Sequence, residues 1–203
     1  LLTFSSGTLT AADKKEAAKW DVNNFHKGAK NVSFTTDEGT WLDLDVSPDG
    51  NTIAFSMMGD IYTLPIGGGT AKRISSGPAF DVQPRFSPDG KQIAYTSDRA
   101  GGNNLWRMNS DGSNAKQVTK ESFRLLNNPI WTPDGQYLIG KKHFSSERSL
   151  GAGELWMYNL KGGSDGLQLN KRKNDQMDLG EPAISPDGRY VYYSEDVSDG
   201  DTF

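Results

Sequence analysis

Two stretches of the chain carry residue types that can perform hydrolytic or metal chemistry. Residues Gly162 to Gly166 satisfy the G-x-S-x-G pattern, in which a sharp turn between a strand and a helix exposes a serine nucleophile. Here the pattern lies between two predicted strands, so we interpret it as a turn. The carboxylates of Asp43 and Asp45, and those between Asp196 and Asp201, lack the spacing and glycine of a calcium loop. We therefore predict neither a catalytic residue nor a metal site in this sequence.

The candidate binding residues lie in the longest insertion, which covers residues Lys141 to Gly153. His143 belongs to it, with Glu147 and Arg148 nearby, and these three form the predicted ligand or domain-interface set. Long connections on a rigid scaffold are where binding surfaces are often built. Two interpretations stay open. Either His143 and Arg148 contact a ligand or a separate catalytic part, or the insertion is a lid-like loop that packs on a neighbouring domain.

Composition excludes several classes of protein. The 203 residues include 22 basic and 26 acidic side chains, so no basic surface indicates a nucleic-acid partner. No run of apolar residues is long enough for a membrane span. Cysteine is absent and the histidines are His26 and His143, which excludes disulfides, thiol nucleophiles and multi-histidine metal centres. We predict no cofactor in this chain.

The first 28 residues are predicted to be an extension that precedes the folded domain. Leu1 to Ala12 resembles the end of a secretory signal, an apolar stub followed by small residues where a signal peptidase can cut. An N-terminal leader with no targeting role is the alternative interpretation.

Internal repeats are the elements that must position all of these residues. The tetrapeptide Ser-Pro-Asp-Gly occurs at residues 47–50, 87–90 and 185–188, and residues 132–135 are a variant with threonine. In chain order, the first two intervals between tetrapeptides, from 47 to 87 and from 87 to 132, fit a repeat of about 40 to 45 residues. The third interval, from 132 to 185, fits the same unit with an insertion. In such a tetrapeptide the hydroxyl bonds the backbone, proline fixes φ, and glycine completes a type I turn.

Each predicted turn joins the first two strands of a four-stranded unit. A large apolar residue ends strand one, strand two alternates, strand three is aromatic and aliphatic, and a glycine-rich turn leads to strand four. Four short antiparallel strands per repeat are typical of a propeller blade. We predict blades at about 41–76, 80–120 and 127–171, and an incomplete blade at 180–203.

One further segment reads like a fourth strand without the three that should precede it. Residues Ala29 to Ser33 resemble Ala71 to Ser75 and Ala115 to Thr119. Such an orphan strand can complete the last blade of a ring and remove an open edge. We therefore predict that residues 29–203 form part of a longer all-β propeller, about 3.5 blades plus the orphan strand. A gapped four-bladed ring, or a ring shared by two chains through open propeller edges, is the alternative.

The repeat resembles the TolB-type propeller repeat. The resemblance is carried by Phe86 to Arg99, Leu105 to Asn109 and Asp111 to Ser113, and it extends over about Val32 to Ser194. This repeat is found in the periplasmic TolB protein and in propellers fused to peptidases and other hydrolases. Three runs are also similar to the N-terminal propeller of large secreted bacterial amidohydrolases: residues 32–41, 59–65 and 123–129.

The narrower resemblance implies a non-catalytic propeller portion of a secreted amidohydrolase. Such a propeller scaffolds or gates a hydrolase domain outside this chain, and a divalent metal would belong to that domain. A stand-alone TolB-like module that binds a periplasmic protein partner is one alternative. A propeller of a tricorn or prolyl-oligopeptidase type peptidase is another. We predict a bacterial protein with a periplasmic or secreted location.

Overall fold

The fold consists of short antiparallel β-strands. The computed structural model describes residues 21–22, 30, 32–122, 125–146, 149–161, 165–174 and 177–195, and in these ranges it contains fourteen strands and no helix. The strands are β1 (Leu44–Val46), β2 (Thr52–Met57), β3 (Asp60–Pro65), β4 (Lys72–Arg73), β5 (Asp81–Phe86), β6 (Gln92–Ser97), β7 (Asn104–Asn109), β8 (Lys116–Gln117), β9 (Leu126–Trp131), β10 (Tyr137–Ser146), β11 (Ser149–Asn159), β12 (Leu167–Gln168), β13 (Ala183–Ile184) and β14 (Val191–Tyr192).

Three sheets share one topology. Each has four antiparallel strands in sequence order: β1 to β4 form blade one, β5 to β8 form blade two, and β9 to β12 form blade three. The two strands β13 and β14 form the part of blade four that the structure describes. The predicted all-β architecture of four-stranded blades in a partial propeller is therefore confirmed.

The tetrapeptide turns form as their chemistry predicts. In blade two, the Ser87 hydroxyl accepts a hydrogen bond from the Gln92 amide at 2.9 Å and donates to Asp89 Oδ1 at 2.7 Å. Gly90 donates its amide to the Ser87 carbonyl at 2.8 Å and has a φ of 69°, a left-handed value that favours glycine. The same bonds recur in the other three repeats. Each turn is thus closed by its own residues.

A second repeated device secures the third strand of each complete blade. One fully buried apolar residue of that strand donates its amide to a side-chain oxygen just after strand four. The three pairs are Ile61 with Ser75 Oγ at 2.8 Å, Leu105 with Thr119 Oγ1 at 2.9 Å, and Leu155 with Asn170 Oδ1 at 2.7 Å.

The hydrophobic core lies between adjacent blades. Successive side chains of a strand point to opposite faces of its sheet, and apolar side chains lie on both faces. Neighbouring sheets therefore pack face to face. Three clusters result, between blades one and two, two and three, and three and four. Their buried members include Ile61, Phe86 and Tyr95 in the first, Leu105, Trp131 and Leu138 in the second, and Ile139, Leu155 and Leu179 in the third.

The structure differs from the sequence-based prediction at the N-terminal orphan strand. Of its five residues, Lys30, Val32 and Ser33 are described, and none of them lies in a strand. A fourth strand forms only beside the third strand of its blade, and the described part of blade four stops at its second strand, β14.

Candidate functional site

The insertion predicted as a loop is instead a β-hairpin. β10 and β11 continue through it and stay paired from Tyr137 opposite Asn159 to Ser146 opposite Ser149. β10 has ten residues, whereas β2 and β6 have six. Four extra residues lengthen the hairpin by about 13 Å, at about 3.3 Å per residue. Blade three therefore extends beyond its neighbours at the end of the propeller opposite the tetrapeptide turns.

His143 lies on this hairpin, in β10 opposite Gly153. Its Nε2 is 2.8 Å from Asn127 Oδ1, and its amide donates to the Leu125 carbonyl at 2.8 Å. Burial lowers the pKa of His143, the Lys141 charge lowers it further, and Asp178 opposes the shift. The ring is therefore neutral at pH 7. Because the amide oxygen only accepts, Nε2 carries the proton and Nδ1 is left as an acceptor.

The base of the hairpin is joined to the segment that leads into blade four. Lys141 is buried, and its Nζ binds the Asp178 carboxylate and the Leu179 carbonyl. Gly153 donates its amide to the Met177 carbonyl at 3.1 Å. A Cβ on Gly153 would lie 2.7 Å from Lys141 Cε, so a larger residue there would displace the buried Lys141 side chain. These contacts hold the hairpin rigidly on its blade.

A buried carboxylate secures the flank of the hairpin. Glu154 is 3% exposed and accepts hydrogen bonds from Arg172 Nη1 at 3.0 Å, Gln168 Nε2 at 2.9 Å and Trp156 Nε1 at 3.2 Å. The Arg172 guanidinium also lies 4.2 Å from the centroid of the Phe144 ring. A buried charge with this many partners is a structural anchor, since burial without them would be costly.

The other predicted residues lie outside the part of the chain that the structure describes. This applies to Glu147 and Arg148, to Ser164 of the G-x-S-x-G pattern, and to the acidic stretch from Asp196 to Asp201. Of the predicted set, the structure places only His143, and its role in binding stays a prediction.

Sequence reasoning missed a group of polar residues contributed by the first strand of each repeat. The fifth residue before each turn proline is Asp43, Gln83, Asn128 or Glu181. We call these four residues and Arg85 the axial set. The signal was present in the sequence, because in three of the four repeats this polar residue directly precedes a proline.

Two members of the axial set have strained backbones. Gln83 and Asn128 have φ values of 58° and 52°, at positions where the pairing registers of β5 and β9 shift. A left-handed conformation costs a residue other than glycine on the order of 1–3 kcal/mol, and such strain clusters at functional sites. Gln83 Oε1 accepts from the Asn128 amide at 2.9 Å and from Thr96 Oγ1 at 2.8 Å, which links blades two and three.

Arg85 connects three blades. Its Nη2 lies 3.6 Å from Glu181 Oε2 in the fourth repeat, and its Nη1 donates to the Leu44 carbonyl at 3.3 Å in blade one. Burial raises the pKa of Asp43, Arg85 opposes this rise, and Glu181 adds to it. Two carboxylates therefore face one guanidinium, and the axial set carries a net negative charge when all three are ionised.

An apolar cavity of about 380 Å³ lies among the same first strands, and Arg85 lines it. All four repeats contribute to its wall, and Trp131 donates its Nε1–H to the Arg85 carbonyl at 2.9 Å. An apolar cavity with a few polar groups can bind a side chain of a partner. Its repeated wall residues are Val46, Phe86, Trp131 and Ile184, with Pro48, Pro88, Pro133 and Pro186.

Neither a metal centre nor a membrane helix is found in the described ranges. No three side chains of His, Cys, Asp or Glu gather there in a way that could hold a metal ion. No helix there has the length and apolarity needed to cross a bilayer.

Comparison with known proteins gives relatives in two groups. The Tol-Pal system protein TolB of Wolinella succinogenes is 30% identical over 166 residues, which cover 79% of this chain and 38% of that protein. The uncharacterized peptidase YuxL of Bacillus subtilis is 23% identical over 197 residues, which cover 78% of this chain and 30% of the relative. The chain thus spans less than two fifths of the length of either.

The fold has close counterparts among solved structures. The putative TolB from Agrobacterium tumefaciens superposes with a TM-score of 0.61 at 22% identity, over 78% of this chain and 60% of that one. Residues 14–202 match the TolB beta propeller domain family. The repeats, the blade topology and this match agree, and the chain belongs to the TolB β-propeller domain family.

Proposed function

We propose that this chain is the non-catalytic propeller portion of a secreted metal-dependent amidohydrolase, which scaffolds or gates a hydrolase domain outside these residues. The observation that carries the proposal is the hairpin of blade three. It extends about 13 Å past the six-residue strands of the neighbouring blades, at about 3.3 Å per residue. The buried Lys141, which pairs with the exposed Asp178, and the buried carboxylate of Glu154 fix it. A rigid projection of this kind offers a contact surface to an adjoining domain.

The relatives support a place within a longer protein. The chain spans 38% of its TolB relative and 30% of its peptidase relative, so propellers of this kind occur beside other segments. Amidohydrolase is favoured among hydrolases by the resemblance of residues 32–41, 59–65 and 123–129 to the propellers of that class. A periplasmic or secreted location follows from the same resemblance and belongs to the proposal.

The chemistry of the axial set fits a supporting role. Asp43 and Glu181 face Arg85, and the cavity next to them is mostly apolar. Such a surface can bind and orient a partner segment. The proposed divalent metal would lie in the hydrolase domain, and no residue of this chain is assigned to it.

The test uses the intact protein. Hydrolysis of a panel of amide substrates is measured before and after chelation, and again after metal is restored. His143→Ala and Asn127→Ala alter one contact of the hairpin, and Lys116→Ala, an exposed change in the outer strand of blade two, is the matched control. We expect metal-dependent hydrolysis, a changed KM or kcat in the two hairpin variants, and wild-type values in the control.

Two results would contradict the proposal. Absence of metal-dependent hydrolysis by the intact protein refutes the amidohydrolase assignment. Wild-type kinetics in both hairpin variants, with unchanged protease protection of the hydrolase domain, refute the role of the hairpin as a contact surface.

A stand-alone TolB-like binding module is the second candidate. It is favoured by the 30% identity with the Wolinella protein over 79% of the chain. The peptidase alternative is supported by the relative that is named a peptidase. Labelling by a serine-directed fluorophosphonate would identify the peptidase. An intact protein that neither hydrolyses amides nor takes the label, yet captures a periplasmic protein, would identify the binding module.

The outer faces of blades one and four support self-association as a further partner mode. Val46 is 43% exposed, whereas Phe86 and Trp131, its counterparts in the middle blades, are buried. Tyr190 and Tyr192 are likewise more than half exposed. Further blades of the same protein or a second copy would cover these faces, and light scattering over a concentration series of the intact protein separates the two.

A further inference from the structure

Asp81 occupies a position that two other repeats fill with a buried leucine and that the first repeat fills with the exposed Trp41. It is the seventh residue before its turn proline, and the same position holds Leu126 in blade three and Leu179 in the fourth repeat. All three residues are buried, with Asp81 at 0% exposure. Burying a carboxylate is costly unless its oxygens are paired. The fold itself therefore does not require an acid at this position.

A second carboxylate lies beside Asp81, across the joint between blades one and two. The Asp81 amide donates to the Gly59 carbonyl at 2.8 Å, which brings the first residue of β5 next to Asp60, the first residue of β3. Each carboxylate is bound by an arginine through its Oδ2 atom. Asp81 Oδ2 binds Arg99 Nη2, and Asp60 Oδ2 lies 3.4 Å from Arg73 Nη1.

The other oxygen of each carboxylate has no donor. Asp60 Oδ1 and Asp81 Oδ1 are both buried, and neither has a hydrogen-bond partner among the described residues. The Tyr95 hydroxyl, also buried beneath this joint, has no partner in the same part of the chain. The joint therefore contains two buried carboxylate oxygens that no well-formed hydrogen bond from this part of the chain satisfies.

The charges facing the pair come from both blades. Arg99 follows β6, and its guanidinium lies 5.4 Å from the Trp106 ring centroid. Arg73, in β4, is 57% exposed, so solvent screens its charge and it offsets little of the burial of Asp60. The hydroxyls of Ser75 and Ser97 lie near Asp81 and favour its ionised form, and the Tyr95 hydroxyl is also close enough to interact with its charge. No lysine or histidine of the described residues interacts with either carboxylate.

The direction in which the pKa of each carboxyl group is shifted agrees with this geometry. Burial raises the pKa of Asp60, Arg73 opposes the rise, and the charge of Asp81 adds to it. Burial also raises the pKa of Asp81, while Ser97 and Arg99 oppose it. Two carboxylates that share a desolvated site cannot both ionise freely, so the first proton is bound more tightly than by an isolated acid.

We propose that Asp60 and Asp81 form a proton-binding pair at the joint of blades one and two, which tightens this joint as the pH falls. One proton taken from solvent by an Oδ1 atom removes a buried charge and creates the missing donor. The opposite Oδ1 accepts from it directly or through one water molecule. The arginines stay bound to the Oδ2 atoms, so the pairing within each blade is unchanged.

The sign of the effect follows from linkage. A carboxyl group whose pKa is raised by folding contributes its stability below the ordinary aspartate value, and this contribution is lost as the pH rises through the folded value. The turn aspartates have lowered pKa values and act in the opposite direction. The test must therefore compare variants at each pH and not rely on the wild type alone.

Asp60→Asn is the main variant, because an amide supplies a permanent donor and loses only the exposed partner Arg73. Asp98→Asn is the matched control, since Asp98 Oδ1 accepts from the Phe80 amide on the same side of the joint and an amide oxygen can replace it. In the full chain we expect Asp60→Asn to raise Tm by about 2–4 °C near neutral pH, with the gain vanishing at about pH 4. The control should show no such trend.

Carbon-13 titration of the side-chain carboxyls gives a second measurement that does not depend on a variant's folding. At least one of Asp60 and Asp81 should titrate above the ordinary aspartate value of about 3.9, and Asp81→Asn should move the midpoint of Asp60 down. The proposal is overturned if both titrate at or below that value. It is equally overturned if the Tm difference of Asp60→Asn is the same at both pH values.

Discussion

The packing of blade two on blade one can be tested at one glycine. Gly112 lies in the turn between β7 and β8 with a φ of 93°, and a Cβ there would lie 2.2 Å from the Ile74 carbonyl oxygen of blade one. Gly50 has a similar φ of 74°, but a Cβ there meets nothing within 4 Å. Alanine at the two positions therefore carries the same backbone strain, and only Gly112→Ala also forces a backbone apart.

The magnitudes follow from these two effects. A left-handed alanine costs about 1–2 kcal/mol, which is the full expected loss for Gly50→Ala. Overpacking adds about 1–3 kcal/mol, so Gly112→Ala should lose about 2–5 kcal/mol. With about 2–4 °C per kcal/mol for a domain of this size, Gly112→Ala should melt at least 2 °C, and up to about 12 °C, below Gly50→Ala.

Thermal unfolding followed by far-ultraviolet circular dichroism, with urea unfolding in parallel, measures both variants. Similar losses, within about 0.5 kcal/mol of each other, would show that the close approach of the turn to Ile74 is absent in solution. The reasoning from blade-to-blade contact would then fail at this point.

Three further outcomes are expected. Gln83→Leu should lower the free energy of unfolding in urea by about 1–3 kcal/mol, because the Asn128 amide loses its acceptor. Gln83→Glu keeps an acceptor and should restore most of this loss. Equal losses in the two variants would contradict the prediction. The Asp89 carboxyl should titrate below about 3.9, because hydrogen bonds from the Ser87 hydroxyl and the Lys91 amide lower its pKa. The stabilisation that these bonds give to the fold is lost as the pH falls. A titration midpoint at the ordinary value would contradict the turn bonds. The His143 imidazole should titrate below about 6.5, because burial lowers its pKa. The stability of the fold should therefore decrease as the pH falls through that value. A midpoint above it in an NMR titration would refute the burial of the ring.

The local chemistry of the fold could be read from the sequence. The tetrapeptide turn needs only residues that are neighbours in the chain, and the bonds of Ser87 and Asp89 are the ones that such a sequence predicts. The alternation of the second strands similarly identified the faces that pack between blades. These features depend on spacings of two to five residues, which a single sequence displays directly.

The features that were missed depend on contacts between distant residues. Gln83 and Asn128 are 45 positions apart, and only the ring arrangement of the blades brings them together. The insertion of blade three was predicted as a loop because it is the longest insertion between two strands, yet its residues continue the pairing of β10 with β11. Asp81 looks like an ordinary strand-start residue until the neighbouring blade buries it.

The outermost strand of every complete blade is only two residues long: β4, β8 and β12. An edge strand this short exposes few unpaired amides and carbonyls. The outer edges of the blades are therefore poor templates for pairing with strands of other molecules and for fibril growth. Contacts between molecules are therefore left to the ends of the propeller, where side chains differ from repeat to repeat, and to the exposed faces of blades one and four.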